Sequence, residues 1–134
     1  MSEKHTFRLA IAGSWLFSGM AFVVSFWEED TLPTSLLEYL EAWYSAPLSP
    51  VILLVGMALF LVLVAASIGL MAFARWSRPV FLWATIASFC LWPAIGPNVE
   101  GPWEALLGDF SVLGFGIVIG LAYCGKYKDH FGGR

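Results

Sequence analysis

From Pro50 to Ala74 the chain runs without one charged residue, and no other feature of the sequence narrows its possible folds as much. A bilayer's hydrocarbon core is about 30 Å thick, and an α-helix needs roughly 20 apolar residues to cross it. Three further runs approach that length. The first, about 8–27, carries no charge after Arg8; the next, 79–96, is short and holds Pro93 near its end; the last, 105–124, is interrupted only by Asp109. Of the 134 residues, 59% are hydrophobic and 13% are charged, against roughly 25% charged in a soluble domain. A water-soluble fold of this length cannot hide so much apolar surface. The expectation is an all-α, integral membrane four-helix bundle, a single domain over 1–134, with the lipid bilayer as its solvent.

Lys4 and Arg8 ahead of an apolar stretch also fit a cleavable signal peptide. The stretch is longer than an ordinary signal core, however, and ends in Val24-Ser25-Phe26-Trp27 rather than a small-residue cleavage site. It reads as a retained helix. Orientation follows from charge. All seven Lys and Arg (Lys4, Arg8, Arg75, Arg78, Lys126, Lys128 and Arg134) fall on one side of a four-span arrangement. Basic residues in short loops stay in the cytoplasm, which places both termini and the Arg75/Arg78 turn there, in a multi-pass protein of the cell (inner) membrane. Trp27 and Trp103 then mark the outer boundary and Trp76 the inner one, at depths that suit amphipathic rings.

The outer segment between the first two spans is too long for a simple turn. Ser35 and Glu38 have the spacing of a capping box, and Leu36, Leu37, Leu40, Trp43 and Tyr44 recur at helical intervals. A short interfacial helix over about 35–45, ended by Pro47, is expected. It would serve as a lid over the outer end of the bundle, or as a partner surface formed by Leu36, Leu40, Trp43 and Tyr44.

Lipid tails are as apolar as leucine, so membrane helices associate through small residues that let backbones approach. The first span offers Ala10, Ser14, Ser18, Ala21 and Ser25; the last offers Gly108, Val112, Gly116, Gly120 and Cys124, including a G-x-x-x-G. Both stripes are expected to face inward, Ser14, Ser18, Ala21, Gly108, Gly116 and Gly120 forming the helix-packing set. Trp15, Leu16, Phe22 and Phe26 are expected on the opposite face, against lipid or another subunit.

Asp109 is the ionisable residue placed well inside a span. Such residues are costly in lipid and commonly functional. Counted from Ala105, it lies only about 6 Å below the outer end, as an interfacial carboxylate that reaches water or caps free N–H groups and benefits from the helix dipole. The functional alternative is an ion or proton site shared with Ser25. His5 and His130 fall outside the spans, as solvated surface residues do, and haem ligation between helices would need histidine within them. Cys90 and Cys124 are expected about 20 Å apart, too far for a disulfide. There is no basic face for nucleic acid, and no catalytic, cofactor or metal residue set stands out, so the chain is not expected to be an enzyme. The sequence points to a protein that acts through contact with another membrane protein or with itself, as an accessory subunit of a membrane complex or an immunity-type protein. A small oligomeric transporter or channel using Asp109 is the alternative.

Overall fold

The computed structural model describes residues 3–28, 33–44, 49–95, 99–124, 127, 130 and 131. Among these there is no strand, and five helices follow one another: α1 (Glu3–Glu28), α2 (Thr34–Tyr44), α3 (Ser49–Met71), α4 (Ser77–Ile95) and α5 (Pro102–Tyr123). Every expected segment is helical, with its ends shifted by a few residues. Pro47, Gly96, Lys126, Lys128 and Arg134 lie outside the described residues, as do the side chains of Leu40, Trp43 and Tyr44. Helices α1, α3 and α5 are long and apolar enough to cross a membrane. Helix α4 has 19 residues and contains Pro93.

Large apolar side chains point outward rather than into a core: Leu54 is 71% exposed and Phe22 66%. Exposing such surface to water costs about 25 cal/mol per Å²; against hydrocarbon it costs almost nothing. That is the profile of a helical membrane protein.

The helices pack as two antiparallel pairs, α1 along α5 and α3 along α4, with sparser contact of α4 with α5 and of α1 with α3. Close packing is concentrated at the end that carries the α3–α4 turn. There Phe7 and Ile11, Ala66 and Leu70, Phe81, and Val118 and Ala122 are buried together. Small residues permit the approach. A Cβ on Gly69 would fall 2.7 Å from that of Ser77, and one on Gly114 would fall 3.1 Å from that of Ser14.

α3 stops at a Schellman turn, in which the last helical carbonyls are taken up by a left-handed residue and the one after it. Phe73 N–H donates to Leu70 O at 3.0 Å and Ala74 N–H to Gly69 O at 2.9 Å, with Phe73 itself at φ 57°. Glycine is the usual occupant of that position, and an L side chain there costs roughly 1–2 kcal/mol. The ring of Phe73 supplies the compensation, since it packs 5.2 Å from Phe131 and 5.5 Å from Phe7, centroid to centroid.

The two ends of α1 cap two other helices. Glu28 Oε1 and Oε2 accept from the backbone N–H groups of Trp103 (3.2 Å) and Glu104 (3.0 Å), the first turn of α5. Arg8 Nε donates to Met71 O at 3.1 Å, the last residue of α3. A carboxylate at a helix N-terminus and a guanidinium at a C-terminus each oppose the local end of the helix dipole.

α2 corrects one expectation. Its first turn is closed by Pro33 O, which accepts from Leu36 N–H at 2.9 Å and Leu37 N–H at 3.2 Å, so Ser35 lies inside the helix and is not its N-cap. Proline's fixed φ already suits a helix start, which moves the boundary ahead of the Ser35/Glu38 pair. Among the described residues α2 makes no extensive contact with any of the four long helices.

Candidate functional site

The residue that most needs explaining is Asp109. α5 begins at Pro102 rather than Ala105, so Asp109 stands about 10 Å along the axis from the helix start. Only the first turn of a helix has free N–H groups, and Glu28 already serves two of them. The expectation that Asp109 caps its own helix is therefore corrected. Its side chain is exposed, and no hydrogen bond or ion pair to it is formed among the described residues. Ser25 does not join it. Ser25 Oγ donates to Phe22 O at 2.8 Å, and by helical rotation it shares the side of α1 that carries Ser18.

The packing face of α5 also differs from the expected one. Ser111, Val118 and Ala122 are its buried residues, and Gly114 meets Ser14 of α1. Ser18 and Ser111 stand Oγ to Oγ at 2.5 Å across the same seam. Ser14 is 2% exposed, and Ala21 lies half-buried along the same helix. Gly116 and Gly120, by contrast, are exposed, and a Cβ on Gly108, Gly116 or Gly120 would meet nothing within 4 Å. At about 100° per residue, Asp109, Leu113, Gly116 and Gly120 share one side of α5, about 180° from Val118. The result is a smooth helix face with one carboxylate near its start, covered by no other part of the described chain.

Trp15 is also displaced from its expected lipid-facing place. Its Nε1 donates to Ser67 Oγ at 2.9 Å, and its ring meets Phe60 at 5.7 Å and Phe115 at 5.4 Å. Beyond Trp15, towards the end remote from the α3–α4 turn, α1 and α3 do not close on each other. They leave an apolar crevice of about 660 Å³ between them, lined by Phe22, Ile52, Met57 and Phe60 among others.

At the turn end a second feature was not expected. Phe7, Phe73, Tyr127 and Phe131 stack in one cluster, with centroids 5.2–5.8 Å apart. Cations surround it. The Arg78 guanidinium lies 4.7 Å from the Tyr123 ring and 5.0 Å from that of Phe131, and Lys4 and Arg8 approach Phe73 at 5.8 and 5.9 Å. Cation–π attraction of this kind strengthens as water is removed, and Arg78 Nε is buried. His130 is half-buried against Phe73, 5.5 Å away, rather than simply solvated. The signal was present in the sequence as aromatic residues beside each basic group (Phe7 by Arg8, Phe73 by Arg75, Tyr127 by Lys126 and Lys128), but only the fold brings them together.

Among the described residues, no three His, Cys, Asp or Glu side chains gather where they would hold a metal ion. Cys90 and Cys124 are exposed free thiols. Compared with protein-family models, curated proteins and solved structures, the chain matches none.

Proposed function

We propose that this protein crosses a cell membrane four times, with both termini and the α3–α4 turn in the cytoplasm, and that it works by binding another membrane protein. It would do so as an accessory subunit of a membrane assembly or as an immunity-type protein. The observation that carries this reading is the uncovered face of α5: a carboxylate and two glycines on the side turned away from the rest of the described chain. Ionisable residues within a membrane ordinarily face a bundle interior, a water-filled path or a partner. Here the bundle interior is on the other side.

Four crossings are supported by α4, which lies along α3 and at 19 residues is about 28 Å long. Cytoplasmic ends are supported by the positions of the seven Lys and Arg. The exposed rings of Trp27, Trp76 and Trp103 suit the two interfaces. α2 then lies at the outer surface.

Purification in mild detergent tests the reading. The wild-type protein is expected to elute with one partner in fixed ratio, and Asp109→Leu and Gly116→Leu are expected to lose it while remaining folded. Asp109 also supports a second reading, in which several copies meet through α5 and line an ion or proton path. Flux into liposomes containing this protein alone, abolished in Asp109→Asn, would establish that reading instead.

A further inference from the structure

What covers α5 can be taken further, on the reading that the protein acts by contact within the membrane. Asp109 is the eighth residue of α5, which begins at Pro102. Within hydrocarbon a carboxylate is disfavoured unless it is neutralised, hydrated or paired.

Among the described residues no cation pairs with Asp109. Lys4 and Arg8 stand at the start of α1, and Arg75 and Arg78 flank the α3–α4 turn. Lys126, Lys128 and Arg134 follow α5 in sequence. The end of α5 at Tyr123 is about 21 Å from Asp109 along the axis. A second copy of the chain in the same orientation would therefore present another Asp109 at that depth and no cation. The complement is a different chain. Gly116 and Gly120, one and two turns further along the same side, let a neighbouring backbone approach closely.

We propose that the face of α5 carrying Asp109, Gly116 and Gly120 receives one transmembrane helix of a partner protein, and that this helix carries a lysine or arginine opposite Asp109 in the outer half of the membrane. The carboxylate accepts hydrogen bonds from the cation, and the pair enters hydrocarbon with no net charge. The small residues set the distance between the helices and Asp109 selects the partner.

Synthetic leucine–alanine transmembrane helices of roughly 24 residues, labelled for energy transfer, serve as the probe against the full-length protein in phosphatidylcholine liposomes. Their outer-half position is Lys, Leu or Asp. The Lys helix is expected to bind about tenfold more tightly than the Leu helix, as a pair worth 1–2 kcal/mol implies. Asp109→Leu is expected to remove that preference and Gly116→Leu to weaken binding of every helix. Asp109→Lys, checked for folding by circular dichroism and monodispersity, is expected to bind the Asp helix in place of the Lys helix. Equal binding of Lys and Leu helices overturns the charge assignment while leaving an interaction face intact. Self-association through α5 with no preference for Lys gives the face to a second copy, and likewise overturns the inference but not the broader function. Absence of any association, with probe helices or between copies, overturns both.

Discussion

Trp15 Nε1 donates to Ser67 Oγ across 2.9 Å, and this bond joins α1 to α3, two helices that otherwise touch sparingly. Ser67 Oγ in turn donates to Leu63 O at 2.7 Å, so the hydroxyl is used fully as donor and acceptor. Removing Ser67 Oγ leaves an indole N–H unpaired in an apolar layer. Ser67→Ala is expected to cost about 1 kcal/mol in reversible unfolding in detergent. A cycle with Trp15→Phe should return a coupling of similar size; a coupling near zero would mean that this bond adds nothing to the ring packing around it.

Glu28 and Gly101 form the complementary tie at the other end. Gly101 is the N-cap of α5 and has no side chain to offer, so the cap comes from Glu28. A Cβ at Gly101 would fall 2.8 Å from that of Glu28. Glu28→Ala is expected to destabilise α5's first turn by about 1 kcal/mol. Gly101→Ala should do at least as much by displacing the carboxylate. Amide exchange at Trp103 and Glu104 reads both effects; unchanged protection in Glu28→Ala would remove Glu28 from this role.

At the end that carries the α3–α4 turn, Phe131 is 2% exposed and packs on Phe7, Phe73 and Arg78. Phe131→Ala is expected to lower stability by about 3 kcal/mol, as for other buried aromatic truncations. Arg78→Lys keeps the charge but loses the planar group that faces two rings, and is expected to cost about 1 kcal/mol. If Arg78→Lys and wild type unfold together, charge rather than stacking is what Arg78 contributes.

Orientation is open to thiol labelling. With Cys90 and Cys124 replaced by Ser, a membrane-impermeant maleimide is expected to reach a Tyr39→Cys variant in intact cells. A His5→Cys variant should react only after the membrane is opened. The reverse pattern would invert the whole arrangement.

The helical segments were legible because an uninterrupted apolar run has few alternatives, and the serine stripe on α1 was legible because Ala10, Ser14, Ser18, Ala21 and Ser25 recur at helical spacing. The face of α5 was not. That helix carries two interleaved rows at spacing four, Gly108–Val112–Gly116–Gly120 and Phe110–Gly114–Val118–Ala122, and periodicity treats them alike. What chooses between them is the register with α1, fixed by Ser18 against Ser111 and Glu28 against Trp103. Such contacts arise between residues more than seventy positions apart, where a local pattern has nothing to say. The aromatic cluster was hidden for the same reason, since Phe7, Phe73 and Phe131 belong to three separate segments. Asp109 stood out in the sequence as an intramembrane carboxylate; its outward direction came only with the register.

The crevice between α1 and α3 gives the fold a stiff end and a compliant one. Interlocked rings hold the end at the α3–α4 turn, whereas at the remote end α1 and α3 line open apolar space. If acyl chains of a bilayer fill that space, splay of the two pairs should respond to the thickness and unsaturation of the lipid on that side, and a change in bilayer composition would act on this protein as a wedge driven in from one side.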